Sequence, residues 1–367
     1  MVTPATRRTG FVCDEAYFAH TTDEGLGPWV APGPAFETPA GKRRIRDLVR
    51  DAGLLAELVP LAPEPLTRQD ALRFHTAEYL DRLVAMSHAE GGNAGEDTWF
   101  GPGSWEIALL AAGGAATAVR AVLTGEVDNA YALVRPPGHH AERHWGRGYC
   151  LLANLALAVM KARDELGVGR VAVVDWDVHH GNGTEQAFAA DPETLAISLH
   201  QDRLYPRETG WVQHVGEGAG VGTTINLPLP SGSGSGAYLD AFDRVVEPAV
   251  RRFRPDLVVV ASGFDAGGLD PLGRMMLSAG AFAEMTRRVR NLADELCAGR
   301  LAMTHEGGYS ELHAPFCGLR VLEEMSGASA EVEDPFDFID DYGAQALTPH
   351  QRDAVDAVVR AHGLVQA

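Results

Sequence analysis

Short apolar runs alternate with longer segments of helical periodicity along most of the chain beyond residue 130. Each run consists mainly of aliphatic residues and is bounded by turn-forming or polar residues, as buried strands are. We predict five such strands, at Tyr131–Val134, Val171–Val174, Leu195–Leu199, Leu257–Ser262 and Leu301–Thr304. Helices are predicted at Leu151–Glu165, Tyr238–Phe253 and Ala281–Cys297. The alternation predicts an α/β fold with an open, mainly parallel sheet flanked by helices on both faces.

The first third of the chain has fewer strand signals. Residues 1–40 mix turn formers with aromatic side chains such as Trp29 and Phe36, which predicts a long irregular loop with a role in function or in an oligomer contact. Helices are predicted at Lys42–Ala56, Arg68–Ala85 and Trp105–Leu123. With 367 residues, 46% of them hydrophobic, the chain has enough apolar residues for one large domain spanning residues 1–367.

The composition argues against several classes of partner. The chain has 31 basic and 50 acidic side chains, a net charge of −19, which disfavours binding to phosphate backbones. The four cysteines are far apart and form no C-x-x-C pair, so we expect a reducing cytoplasm. The apolar run Leu151–Met160 is interrupted by Asn154 and is too short to span a membrane. We therefore expect a cytoplasmic protein that binds neither nucleic acid nor membrane.

Polar residues and glycines directly follow four of the predicted strands. The four segments are Arg135–His140, Asp175–His180, Gly263–Asp265 and His305–Tyr309. Parallel strands place their carboxyl ends at one edge of a sheet, so we expect these segments to converge and to form a site there.

Three of these residues suit a metal ion. Asp177 and His179 are two positions apart, so their side chains point to the same side of an extended segment. With Asp265 they offer two oxygens and one nitrogen, an open donor set that fits Zn²⁺ or Fe²⁺. The alternative is a helix cap and turn cluster without a metal. The adjacent histidines on two neighbouring loops favour a site.

The remaining polar residues suit proton transfer. His139 and His140 follow a rigid Pro-Pro-Gly turn, and imidazoles serve as general bases and acids near neutral pH. Asp175 and Asn182 offer acceptors that could orient the two rings. Tyr309 follows two glycines, and its hydroxyl could donate to a developing oxyanion. A turn with a packed aromatic ring is the alternative for Tyr309.

The ordered motifs Pro-Pro-Gly-His-His, Asp-x-Asp-x-His-His-Gly, Gly-Phe-Asp and Gly-Gly-Tyr resemble those of a known superfamily. This is the zinc-dependent histone deacetylase and acetylpolyamine amidohydrolase superfamily, which has the arginase/deacetylase-type α/β fold. The resemblance extends from about Lys42 to Gly318. Asn182 is similar to the class II pattern, and the N-terminal segment is most similar to bacterial class II histone deacetylase-like amidohydrolases.

The resemblance implies a role for each motif. It implies that Zn²⁺ is bound by Asp177, His179 and Asp265. It implies that His139 and His140 act as general base and acid, without deciding which does which, and that Tyr309 donates to the acyl oxygen. It also implies a K⁺ ion bound by Asp175, Asp177, His179, Ser198 and Leu199, partly through backbone carbonyls.

The expected substrate tunnel departs from the family pattern. We assign to it Asp97, from the polar segment Gly91–Ser104, together with Gly148, Tyr149 and Leu272. Tyr149 replaces a phenylalanine of the family, and its phenol would favour a substrate with a polar group near the acyl chain. Leu272 stands where polyamine-selective relatives have a glutamate, which argues against a specialised polyamine deacetylase.

We predict a zinc-dependent amidohydrolase that removes acetyl or related acyl groups from lysine-like primary amines. A second hypothesis is a deacylase of a small metabolite, such as an acetylated polyamine or a biosynthetic intermediate. A third is a metal-binding relative without catalytic activity, but no ligand, base or tyrosine of the motifs is missing. Because bacterial class II relatives often assemble, we expect a homo-oligomer.

Overall fold

An eight-stranded sheet in which every pairing is parallel forms the centre of the structure. The structure is a computed structural model, and it describes residues 7–22 and 35–364. Its strands are β1 (Thr9–Val12), β2 (Val59–Leu61), β3 (Gly92–Asn93), β4 (Gly95–Glu96), β5 (Trp99–Phe100), β6 (Asn129–Ala132), β7 (Gly146–Arg147), β8 (Val171–Asp175), β9 (Thr194–Gln201), β10 (Thr224–Leu229), β11 (Leu257–Ser262) and β12 (Leu301–His305). The central sheet has the order β10-β9-β8-β11-β12-β6-β1-β2, and β3 with β5 and β4 with β7 form two small ribbons.

Helices cover both faces of this sheet. They are α1 (Pro39–Asp51), α2 (Arg68–Ala71), α3 (Ala77–Ser87), α4 (Ser104–Leu123), α5 (Asn154–Leu166), α6 (Asn182–Phe188), α7 (Ser235–Ala241), α8 (Glu247–Phe253), α9 (Ala279–Cys297), α10 (Ala314–Ser326) and α11 (Pro349–His362). A π-helical turn, Phe242–Val246, joins α7 to α8. Buried residues of α2 to α6 belong to one apolar cluster, and those of α1 and α7 to α11 belong to another.

The central strands are buried on both faces. In β8, Ala172 and Val174 contact one apolar cluster and Val171 and Val173 contact the other. Successive side chains of a strand point to opposite faces, so a strand covered on both sides has a continuous apolar sequence. The predicted α/β architecture with helices on both faces is therefore confirmed.

The five predicted strands are all present, as β6, β8, β9, β11 and β12, with ends displaced by at most two residues. Strands β1, β2 and β10 were not predicted.

The prediction of an irregular loop over residues 1–40 is wrong for Thr9–Val12, which pairs with both β2 and β6, and for the 3-10 helix Glu15–Ala19. Because β1 has only four residues, one of them glycine, its own sequence gives little strand signal. Trp29 lies outside the described residues.

The helix predicted over Arg68–Ala85 is two helices, α2 and α3. Each begins at a threonine whose side chain accepts a backbone N–H of the first turn, Thr67 for α2 and Thr76 for α3. Such a cap favours a new helix start over continuation of the preceding one. The chain therefore changes direction between α2 and α3.

Helix α4 is the longest apolar element, longer than the run Leu151–Met160 considered from the sequence. Within the described part of the chain, it is the one helix long and apolar enough to cross a membrane. However, 61% of its apolar window is buried, and it contacts α5, β6 and β12. These contacts are those of a core helix.

The strand order brings the four polar segments together. Strands β8, β11, β12 and β6 are consecutive neighbours in the middle of the sheet, although they are separated by other elements along the chain. Since all four run in the same direction, the segments that follow them lie side by side at the carboxyl edge.

The close packing of α4 can be tested at Gly113. A Cβ there would overlap the carbonyl oxygen of Glu64, whereas one at Gly343 would meet no heavy atom within 4 Å. Alanine is the better helix former by about 1 kcal/mol, but an overlap with the backbone is not relieved by rotating a side chain. We expect Gly113→Ala to lower the free energy of unfolding in urea by about 1–3 kcal/mol. Gly343→Ala is the matched control, with a change within about 0.5 kcal/mol; equal stability of the two variants would contradict the packing described.

Candidate active site

Three buried side chains at the carboxyl edge form a candidate metal centre. Asp177, His179 and Asp265 each offer a ligand atom, and these atoms lie within 4.8 Å of one another. The Nδ1 atom of His179 is 3.2 Å from Asp177 Oδ1 and 3.1 Å from Asp265 Oδ2. The structure thus brings together the three residues predicted as metal ligands. Their two oxygens and one nitrogen match a catalytic zinc site with positions left for water and substrate.

Backbone N–H groups hold the two carboxylates in place. Gly307 donates to Asp177 Oδ2 over 2.8 Å, and Val178 donates to Asp265 Oδ1 over 2.7 Å. A Cβ at position 307 would overlap Asp265 Oδ2, so only glycine allows this approach of the backbone to the ligands. The glycine before the Gly-Tyr pair therefore belongs to the construction of the metal centre.

The charge of this centre favours binding of a cation. Burial raises the pKa of Asp265, and the neighbouring carboxylate of Asp177 raises it further. The ligand atoms of the two buried carboxylates lie within 4.8 Å of each other. Carboxylates this close repel each other and have lost their hydration, and a divalent cation offsets both effects. The donor set and the electrostatics therefore both fit a metal ion.

The two histidines of the Pro-Pro-Gly turn have different partners. The Nδ1 atom of His139 lies 3.0 Å from Asp175 Oδ2, and that of His140 lies 2.7 Å from Asn182 Oδ1. Burial lowers the pKa of His139, but the carboxylates of Asp177 and Asp175 outweigh it and the pKa is raised well above its ordinary value. Burial and the neighbouring imidazoles lower the pKa of His140. The structure contains both orienting contacts expected for Asp175 and Asn182.

Tyr309 lies beside the metal ligands. Its ring centroid is 6.5 Å from that of His179 and 5.8 Å from that of Tyr149. Burial raises the pKa of Tyr309, and the carboxylates of Asp265 and Asp177 raise it further, so its hydroxyl keeps its proton. The Nζ atom of Lys42, which pairs with Glu37 over 2.9 Å, is 5.7 Å from the centre of the Tyr309 ring.

A cavity of about 220 Å³ opens above this centre. It is lined by Asp97, His140, Gly148, Tyr149, His179, Leu204, Tyr205 and Leu272. The four residues predicted for the tunnel are all among them. Leu204 and Tyr205 were missed because only four strand ends were considered. They follow β9, another strand of the same parallel sheet, and that position was the available signal.

Two cavity residues have uncommon backbone conformations. The φ angles of Asp97 and Tyr149 are +50° and +66°, in the left-handed region. The N–H of Tyr149 donates to the carbonyl of Asp97 over 3.2 Å, next to the ribbon of β4 and β7. Backbone strain of this kind persists where surrounding contacts impose it, often at binding sites.

One buried arginine connects the segments that surround the cavity. Arg147 pairs with Glu96 over 2.5 Å, with Glu142 over 3.1 Å and with Glu208. These carboxylates come from three separate segments, so Arg147 fixes the segments around the cavity relative to one another.

The predicted potassium ligands lie on adjacent strands. Ser198 is the register partner of Asp175 between β9 and β8, and the buried Leu199 follows it. A small cavity of about 10 Å³ is lined by Asp175 and Ser198, among others. A volume of this size holds about one water-sized particle.

A further buried carboxylate supports the histidine turn. Glu306 Oε2 accepts the N–H groups of Gly138 over 2.7 Å and His139 over 3.0 Å. Burial raises the pKa of Glu306 to about 7. Its place in the His-Glu-Gly-Gly-Tyr segment was visible in the sequence, but its partners were not.

Comparisons with known proteins identify the family of this chain. A family model described as the histone deacetylase domain matches residues 36–325. A histone deacetylase-like amidohydrolase of Pseudomonas aeruginosa is 46% identical over 372 residues, covering 99% of this chain and 98% of that protein. A probable deacetylase of Archaeoglobus fulgidus is 40% identical and covers 77% of this chain and 78% of that protein.

A solved structure shows the same fold. The crystal structure of the HDA15 HD domain matches with a TM-score of 0.87 and 32% identity, covering 98% of this chain and 95% of that chain. The arginase/deacetylase-type α/β fold implied by the motifs is thereby confirmed. The chain belongs to the histone deacetylase family, whose members are metal-dependent, and it is a deacetylase, a hydrolase that acts on acylated amines.

Proposed function

We propose that this deacetylase removes acetyl groups, or related short acyl groups, from lysine-like primary amines with Zn²⁺ held by Asp177, His179 and Asp265. The observation that carries the proposal is that this buried donor set borders the 220 Å³ cavity through His179, which lines it. When bound, Zn²⁺ supplies Lewis acidity that activates water and polarises the acyl carbonyl. The cavity, with Tyr149 and Tyr205 in its walls, suits an extended alkyl chain.

His140 is the general base and acid in this proposal, because it lines the cavity and His139 does not. It takes a proton from the attacking water as the oxygen bonds to the acyl carbon. It then gives the proton to the amine nitrogen as the C–N bond breaks, which releases the amine and the carboxylic acid. His139, held by Asp175, packs beside His140, with 4.0 Å between the two ring centroids, and helps to position it. Tyr309 donates its O–H to the oxyanion that forms at the acyl oxygen.

The small cavity lined by Asp175 and Ser198 supports a K⁺ site. Asp177, His179 and Leu199, the further ligands implied by the resemblance, are not among the residues that line it. The match to a Pseudomonas protein over almost the full length supports one cytoplasmic bacterial domain.

Phe36, with 38% of its surface exposed, supports a homo-oligomer contact near the N-terminus. Analytical ultracentrifugation of the full chain and of Phe36→Ser tests that contact.

A small metabolite remains the second candidate substrate. The phenol of Tyr149, in place of the family's phenylalanine, supports a substrate with a polar group near the acyl chain. Leu272 lines the cavity and offers no carboxylate to a distant amine, which weighs against an acetylated polyamine.

The role of Tyr309 can be tested by removing one oxygen atom. Tyr309→Phe is expected to lower kcat on an acetyl-lysine peptide by about 10²- to 10³-fold, the loss of one oxyanion donor. Zinc content should be unchanged, because the hydroxyl is not among the ligands. Tyr342→Phe, at an exposed ring, is the control. Wild-type turnover in Tyr309→Phe would refute this role.

The metal centre can be tested without an activity assay. After chelation, adding Zn²⁺ at about 100 times its Kd should stabilise the protein by about 2.7 kcal/mol, seen as a higher midpoint of thermal unfolding. Asp265→Asn should lose most of this shift, because an amide is a poorer ligand. A zinc-induced shift of the same size in Asp265→Asn would show that the ion binds elsewhere.

Substrate choice can be tested at Leu272. The wild-type enzyme should prefer an acetyl-lysine peptide to N-acetylputrescine in a competition assay. Leu272→Glu should raise kcat/KM for N-acetylputrescine by up to about 5-fold, the effect of one partly exposed ion pair. Leu272→Gln, of similar size and without charge, should not. Strong preference of the wild-type enzyme for N-acetylputrescine would favour the metabolite hypothesis instead.

A further inference from the structure

A buried carboxylate outside the metal centre accepts four backbone N–H groups. Asp270 Oδ2 accepts those of Tyr309, over 2.7 Å, and Ser310, over 3.1 Å. Asp270 Oδ1 accepts those of Leu272, over 2.8 Å, and Gly273, over 3.3 Å. Both oxygens are therefore fully used, and each binds a different segment of the chain.

These four hydrogen bonds offset the free-energy cost of burying the Asp270 carboxylate. Only 9% of its surface is exposed, and among the described residues no ion pair involves it. Burial raises the pKa of Asp270, and the four N–H donors act against this effect. A carboxylate that depends on four amides is an effective restraint on those amides, because any displacement exposes a buried charge.

Asp270 thus binds two segments of the chain. One carries Tyr309, and the other contributes Leu272 to a wall of the cavity. The Oδ1 bonds close the turn of Asp270–Gly273, which places Leu272 in the cavity wall. The Oδ2 bonds hold the main chain of Tyr309 itself. On its other side the same chain is held by the N–H of Gly307, which donates to the metal ligand Asp177. The main chain that carries the phenol is therefore held between a predicted zinc ligand, Asp177, and Asp270.

We propose that Asp270 is a positioning residue that sets the place of the Tyr309 hydroxyl relative to the acyl oxygen. It touches neither the metal nor the substrate and acts through the backbone of Tyr309. The inference rests on the proposed role of Tyr309 as oxyanion donor. Because that donor acts mainly in the transition state, loss of its placement lowers kcat more than it changes KM.

The test is a double-mutant cycle. In Asp270→Asn one oxygen is replaced by an NH₂ group, which then faces two N–H donors whichever way the amide turns. A displacement of about 1 Å costs up to about 10²-fold in rate, so we expect kcat on an acetyl-lysine peptide to fall by about 10- to 100-fold, with KM and zinc content nearly unchanged. In the Tyr309→Phe background, Asp270→Asn should have almost no further effect on kcat, because the hydroxyl it positions is gone.

A matched control separates positioning from general stability. Asp70 is also buried and accepts backbone and side-chain donors, but it lies at the start of α2, away from the site. Asp70→Asn should lower the midpoint of unfolding and leave kcat unchanged. Asp270→Glu keeps both acceptor oxygens one methylene further out. It should show a smaller loss of kcat than Asp270→Asn, with the same dependence on Tyr309, and it serves if Asp270→Asn does not fold.

Two results would overturn the proposal. One is an unchanged kcat in both Asp270 variants. The other is an equal fold-loss of kcat in the wild-type and Tyr309→Phe backgrounds, which is the behaviour of a merely structural residue. Either result leaves the role of Tyr309 intact, because the single variant Tyr309→Phe tests that role by itself. Wild-type turnover in that single variant would refute both.

Discussion

The concentration of buried carboxylates at one edge of the sheet is the constraint on which this site depends. Five of them lie there, at positions 175, 177, 265, 270 and 306. In the described part of the chain their ion pairs are with histidines alone. Backbone N–H groups of the loops that follow the neighbouring strands donate to Asp177, Asp265, Asp270 and Glu306. The buried carboxylates therefore hold these loops in place, and a positive charge among them stabilises the arrangement.

Another buried carboxylate, that of Glu37, is neutralised by basic side chains of the protein. Glu37 is completely buried, yet the guanidinium of Arg135, 2.7 Å away, and the ammonium of Lys42, 2.9 Å away, keep its pKa below the ordinary value despite burial. Among the described residues Asp265 has no such arginine or lysine partner, and its pKa is raised. The protein therefore pairs one buried acid with an arginine and a lysine, whereas the other lies beside a histidine that is itself a candidate metal ligand. A metal ion held by Asp177, His179 and Asp265, as proposed, would offset the charge of this second acid, and His179 of this set lines the cavity.

The cavity walls and the candidate metal centre are built from different parts of the chain. The candidate metal ligands and Tyr309 follow the ends of β8, β11 and β12, where strand pairing fixes them. The cavity walls come instead from loops: Asp97 and Tyr149 from two segments paired by short ribbons, and Tyr205 from the loop after β9. Arg147 joins the rim through its carboxylate partners. Loops can change while the strands stay fixed, so relatives can share one reaction and differ in substrate.

The sequence by itself determined the fold class, five of the eight central strands and the candidate metal ligands, histidines and tyrosine of the site. These features depend only on local sequence. Apolar runs predict the strands, and the side chains of Asp177 and His179 lie on the same side of an extended segment regardless of the tertiary fold. The tertiary structure alone placed β12 between β11 and β6, added β1 from the N-terminal segment, and brought Tyr205 into the cavity. It also decided the roles open to Asp270 and Glu306. Their partners Tyr309 and Gly138 are 39 and 168 residues away in the chain, and hydrogen bonds over such separations exist only after the strands have been ordered into a sheet.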